Sequence, residues 1–226
     1  MSDLTDKPRR SLVDYAYEKI RARIFEGEWT PGYQALEEAI ARDLEVSRTP
    51  VREALIRLER EGLVEILPRK GMQVIAISAD DMREVYEVVA VLESEAAARI
   101  ARMQPNKDYV APLQNAVDQM EEALRKDNLM AWAKADDAFH VNLLALCGNS
   151  RLAEMGMTVQ DRVKGARVAT IYDRPVPHRS NDDHQALIEA MLSGDVEAAR
   201  RIHTQHKLNA MNLITSILEN KEKADG

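Results

Sequence analysis

The sequence is short of the residues that cross-link or interrupt small folds. Its one cysteine, Cys147, cannot form an internal disulfide, which fits a reducing, cytoplasmic setting. Only 9 glycines and 8 prolines occur in 226 residues, and aromatics make up 4%, so collagen-like, low-complexity and turn-dense all-β architectures are excluded. No apolar run approaches the roughly 20 residues of a membrane span. The opening MSDLTDKPRR is polar with no hydrophobic stretch behind it, so neither a membrane anchor nor a secretory leader is expected. An excess of positive charge is also missing: the net charge is −7.

What is present favours a folded, mainly α-helical protein: 45% hydrophobic and 31% charged residues, rich in Ala, Leu, Glu and Arg. The charge is unevenly divided. Residues 1–78 carry 13 Lys/Arg against 14 Asp/Glu, while residues 79–226 carry 18 against 24 and hold all five histidines. Two domains of different chemistry are expected, 1–78 and 79–226, and the acidic total does not exclude a local cationic surface on the first.

In the first part, Val13, Tyr17, Ile20 and Ile24 form one stripe of a helix over 12–25. Pro31-Gly32 marks a tight turn. Leu36, Ile40 and Leu44 recur every four residues and predict a short second helix of about ten residues. After a break at Glu45-Val46, Ser47 or Thr49 can cap a third helix with Pro50 in its first turn. Val51, Ala54, Leu55 and Leu58 define the core side of that helix, and Arg48, Thr49 and Arg52 sit at its N-terminal end. The period then changes. Leu63–Leu67 and Met72–Ile77 are strand candidates, joined by Pro68-Arg69-Lys70-Gly71 with two cations at its tip.

A charged helix face alone is usually just solvated. Turn, cap, cationic helix start and basic hairpin together predict a winged helix-turn-helix that reads double-stranded DNA, with Arg suited to guanine edges and phosphates. The stretch Ser47-Arg48-Thr49-Pro50-Val51-Arg52-Glu53-Ala54-Leu55, with Pro31-Gly32, Leu58-Glu59 and Glu61-Gly62-Leu63-Val64, resembles the GntR family of regulators. The resemblance implies operator contacts from Arg48, Thr49, Arg52 and Gly71, and we add Ser47, Arg69 and Lys70 as the neighbouring polar groups. Glu38 stands where some members carry a further Arg, so that phosphate contact is not expected.

In the second part, Ser78 followed by Asp80-Asp81 is a helix-start signal. Amphipathic helices are expected over 80–103, 107–126, 128–147, 150–171, 181–193 and 196–219, a six-helix bundle without strands. Asp136 and His140 share one side of a helix whose buried stripe reads Trp132, Phe139 and Leu143. His184 lies with Leu187, Ile188 and Met191. His206 falls in a stripe of Ile202, Ala210, Leu213 and Ile217, with His203 at its flank. One carboxylate and three imidazoles directed into a bundle suit a divalent metal, Zn2+ foremost, with Ni2+ and Mn2+ also served. The rival reading is four separate hydrogen-bonded core residues. A metal-dependent hydrolase is disfavoured because Asp137 projects about 100° away from Asp136 and leaves no placed base.

Asp136-Asp137-Ala138-Phe139-His140, then His184 before Leu187-Ile188-Glu189-Ala190, Gly194-Asp195 and His206, resemble the FCD sensor domain of the FadR subgroup, in its shorter VanR-like form. The resemblance implies metal binding by Asp136, His140, His184 and His206, an organic-acid effector on the metal, and a homodimer on a palindromic operator. It implies a repressor of catabolic genes released by that effector, and no enzyme. Many such domains carry an effector-binding Arg where this chain has Val89. Arg162, Arg167, Arg174 or Arg179 would supply that charge from later segments, or else the effector is less acidic or the metal alone holds its carboxylate.

Overall fold

The computed structural model describes residues 11–25 and 28–225, and they divide into two compact units, one running to Ala76 and the other from Ile77. In the first unit α1 (Leu12–Phe25), α2 (Glu37–Asp43) and α3 (Arg48–Arg60) pack around Tyr17, Ile20, Ile40, Val51, Leu55 and Leu58, all buried. Each of the four apolar α3 positions picked out by periodicity is in that core. Gly32 has φ +89 and Tyr33 N donates to Thr30 O at 2.9 Å, so Pro31-Gly32 fill the central positions of a type II turn.

The expected hairpin is present as β2 (Val64–Leu67) and β3 (Gly71–Val74), paired antiparallel with Val64 opposite Val74 and Leu67 opposite Gly71. A third strand not legible in the sequence, β1 (Gln34–Ala35), pairs with the other side of β3, giving the order β1-β3-β2. Two residues carry no alternation to detect. This strand also shortens the second helix: Leu36 is its N-cap, 53% exposed, and not part of its buried face. Ser47 occupies the N-cap of α3 but makes no side-chain capping bond. At the hairpin tip Arg69 sits at φ +66, a left-handed conformation that costs a non-glycine residue about 1 kcal/mol. Gly71 is required sterically, since a Cβ there would lie 2.1 Å from the Ala35 carbonyl oxygen.

The second unit is a bundle of α4 (Ala79–Arg102), α5 (Lys107–Arg125), α6 (Leu129–Leu146), α7 (Ser150–Ala169), α8 (His178–Ser193) and α9 (Val196–Asp225), with a 3-10 turn at Ile171–Asp173. Side chains cap four of these helices: Ser78 accepts from Asp81 N, Asn106 from Tyr109 N, Asn128 from Ala131 N and Asn149 from Leu152 N. Gly194, at φ +73, closes α8 in the left-handed conformation. α8 starts at His178, three residues before the expected 181, and Asn181 inside it accepts from Trp132 Nε1 at 2.9 Å and donates to Glu121 at 2.7 Å.

The core of this unit runs from Ile100, Leu113 and Met120 through Trp132, Phe139 and Leu143 to Leu187 and Met191. On α9 the buried face is Ala199, His203, His206, Lys207, Ile214 and Leu218, so the sequence-expected stripe is rotated and Leu213 is 38% exposed. No helix of the described residues is long and apolar enough to cross a membrane.

Gly71→Ala should destabilise the first unit by at least about 2 kcal/mol, because the clash is with backbone and φ is positive. Guanidinium unfolding followed by Trp29 fluorescence in a Trp132→Phe background measures this.

Candidate functional site

α3 presents Arg48 and Arg52 at its N-terminal turn, their side chains 66% and 71% exposed, with Ser47 and Thr49 exposed beside them. The face is not the simple intrahelical pairing of an ordinary solvated helix. Glu37, on the first turn of α2, lies 3.3 Å from Arg48 Nη2 and 4.0 Å from Arg52 Nε. One carboxylate thus lies near both guanidinium groups, hydrogen-bonded to Arg48, while leaving them open to solvent. Arg69 and Lys70 are exposed at the tip between β2 and β3, and Glu38 is exposed on α2.

In the second unit Asp136, His140, His184 and His206 converge from α6, α8 and α9, all buried, each offering a ligand atom within 4.8 Å of the others. His140 Nε2 is 3.6 Å and His184 Nε2 3.8 Å from Asp136 Oδ1. Neither ring nitrogen of His184 has a hydrogen-bond partner. A buried imidazole with no partner on either side loses its water for nothing, unless something else occupies the space it faces. His206 Nδ1 lies 3.4 Å from Asp183 Oδ2, which leaves Nε2 as the lone-pair nitrogen when Nδ1 carries the proton. The donor set, its burial and the orphaned His184 fit a divalent metal.

Two carboxylates, Glu93 and Asp136, are fully buried here. Burial opposes their ionisation, but Arg167, 2.6 Å from Asp136 Oδ2, and Lys207, 3.0 Å from Glu93 Oε2, outweigh it. Both carboxyl groups are held well below the usual range. Burial works the other way on the imidazoles, pushing His184 and His206 down and His203 down to about 3. They are neutral at pH 7, the form a metal requires.

A second group, Glu93, His140 and His203, shares His140 with the first. Glu93 Oε2 lies 2.8 Å from His203 Nε2 and 2.8 Å from His140 Nδ1, the latter off hydrogen-bond alignment. Gln160 can bridge Glu93 Oε1 at 3.1 Å and Arg167 Nη2 at 3.2 Å. Glu93 and Lys207 had no signal in the sequence beyond lying within helical runs. His203, assigned to a flank, is fully buried.

The arginines expected for an effector part company. Arg162 is tied to Asp81 at 2.6 Å, half-exposed, away from the cluster. Arg167 is committed to Asp136 and to Asp137, at 3.2 Å. Arg179 lines a cavity of about 580 Å3 beside His206, whose walls include Trp132, Ile171, Arg174, Asn209 and Leu213. Arg174 Nε and Asn209 Nδ2 are buried donors without partners.

An exposed cationic helix start with a basic hairpin in one unit, and a helical bundle with a buried cluster of candidate metal ligands in the other, fit the class of DNA-binding regulators. Residues 12–74 match the bacterial regulatory proteins of the gntR family, and residues 84–209 match the FCD domain. The chain belongs to the GntR family and is a DNA-binding transcriptional regulator with a C-terminal FCD domain. It is 47% identical over 135 residues to an HTH-type transcriptional regulator in the TAR-I ttuE-ttuC' intergenic region of Agrobacterium vitis, covering 59% of this chain and 79% of that one. It is 30% identical to the Nta operon transcriptional regulator of Aminobacter aminovorans, covering 77% and 82%. It is 28% identical to the HTH-type transcriptional repressor RspR of Escherichia coli, covering 88% and 87%. Among solved structures, E. coli McbR/YncC superposes with a TM-score of 0.70 at 20% identity, covering 94% and 99%, which shows a shared fold.

The depressed imidazoles set a pH window. His203 titrates near 6.5 unfolded and about 3 folded, so the unfolded chain binds more protons between those values. Stability of the metal-free protein is therefore whole above pH 6.5 and falls as pH drops, by about 2 to 3 kcal/mol at pH 4.5 from His203 alone. Urea unfolding across pH 7.5 to 4.5, with His203→Gln as the comparison, should give the variant a visibly flatter profile.

Proposed function

We propose that the chain is a repressor whose two copies read the half-sites of a palindromic operator and which lets go when a small organic acid binds at the buried metal site. The observation that carries the sensing part is His184, buried with both ring nitrogens unsatisfied beside Asp136. Asp136, His140, His184 and His206 would hold a divalent ion, Zn2+, Ni2+ or Mn2+. When bound, the ion would offer Lewis-acidic positions to a carboxylate oxygen.

The chain's own residues supply the rest. Arg167 fixes the Asp136 carboxylate by one strong charge-assisted bond and keeps it ionised. Asp183 orients His206. Arg174, Arg179 and Asn209 line the cavity beside His206. Two cationic side chains and an amide there suit an anionic, acceptor-only group, which a carboxylate is. This supports an acidic effector despite Val89 on α4, and replaces the roles first expected of Arg162 and Arg167.

For DNA, Arg48 and Arg52 would meet base edges and phosphates from the start of α3, flanked by Ser47 and Thr49, with Arg69 and Lys70 reaching a neighbouring groove. The repressor relative and the exposed arginines support this reading. Gly71 serves the wing by letting β3 approach β1. An effector acts only if it favours one arrangement of the paired recognition helices over the other.

Gel shifts test both halves. Arg48→Ala with Arg52→Ala should lower operator preference at least tenfold, each guanine contact being worth about 1–3 kcal/mol. A panel of organic acids, with metal present, should contain one that releases wild-type protein but not Asp136→Ala. Retained operator preference, or release of both proteins alike, would overturn the corresponding half.

A further inference from the structure

Lys207 is a buried cation in the second unit that a metal site does not need. It lies on α9 one residue after His206, 1% exposed, with its ammonium 3.0 Å from Glu93 Oε2 and 3.4 Å from His140 Nε2. That nitrogen of His140 is the one turned towards Asp136, whereas Nδ1 faces Glu93. An ammonium can only donate, so the Nε2 that Lys207 reaches carries the lone pair, with the proton of the neutral ring on Nδ1. Lys207 therefore donates to the electrons that a metal at Asp136, His140, His184 and His206 would use.

The charge balance points the same way. Among the described residues the fully buried ions of this unit are Glu93, Asp136, Arg167 and Lys207, two anions and two cations. Part-buried Asp137 is paired with Lys164, so a divalent ion would add two positive charges at short range from an ammonium, with only the part-buried Asp183 beside His206 to offset them. An anion arriving at the same place would offset them.

We propose that Lys207 is a resident cation that holds down the metal affinity of the Asp136–His140–His184–His206 site, so that metal and anionic effector are retained together. This rests on the metal reading given above. Metal alone binds weakly, because Lys207 has to give up its bond to His140 and sits close to a like charge. By linkage, an anion that improves metal binding is itself bound better when the metal is present.

The test is titration of Mn2+ alone, and of Zn2+ by chelator competition, into full-length, tag-free, metal-stripped protein. Lys207→Gln keeps a hydrogen-bonding side chain and removes the charge, and should tighten metal binding at least tenfold. Should Lys207→Gln leave Glu93 too exposed to fold, the double variant Glu93→Gln with Lys207→Gln removes both charges. It should show a smaller gain in the same direction. His184→Ala reports whether the binding is at this site. If wild type binds metal, His184→Ala loses it and both Lys207 variants bind no tighter than wild type, Lys207 merely neutralises Glu93 and the inference is wrong while the metal site stands. If none of the proteins binds metal, the metal reading fails and takes the inference with it.

Discussion

The second unit is organised by what it takes to keep Asp136 ionised inside a helical bundle. A lone buried carboxylate would protonate or unfold its surroundings. Arg167 prevents that at 2.6 Å, and in doing so fixes where α7 lies against α6. Glu93 and Lys207 repeat the arrangement one layer away between α4 and α9. The histidines then fill the space between two compensated carboxylates. Burial keeps His184, His203 and His206 neutral, so their lone pairs remain available. Ion pairs of this kind add little net stability over apolar packing. Their retention in the middle of a core makes sense as the scaffold of a binding site.

The two units divide the work by chemistry. The first keeps its cations outside, where Glu37 lies near Arg48 and Arg52 without covering them. Its core is ordinary: Ile, Leu, Val and one buried Tyr17 whose hydroxyl donates to Glu61. The second keeps its ions inside and its outer faces mixed. The overall acidity of the chain thus says little about the surface that meets DNA. A regulator can carry a net charge of −7 and still expose a cationic helix start.

Much of this was legible in the sequence, for identifiable reasons. α3 was readable because four apolar residues at helical spacing left Arg48 and Arg52 on the open side. Asp136, His140, His184 and His206 were readable because each sits among apolar residues at the right period. Where the buried face is itself polar, the same logic failed. On α9 the core side holds His203, His206 and Lys207, so the apolar pattern pointed about a fifth of a turn away, towards Leu213. Glu93 was hidden for the same reason in an alanine-rich helix. β1 was too short to carry a period, and it turned Leu36 from a presumed helix position into a cap. Arg162 could not be told from Arg167 or Arg179 by spacing, since ion pairing with Asp81 is a tertiary event.

The proposed place of a divalent ion is among Asp136, His140, His184 and His206. Crystals of the full-length protein grown with Mn2+, with data collected at a wavelength where manganese scatters anomalously, test it directly. One strong anomalous peak is expected within bonding distance of those four side chains, with Lys207 turned away from His140. A peak among Glu93, His140 and His203 instead, or no peak in the bundle at millimolar Mn2+, would contradict it.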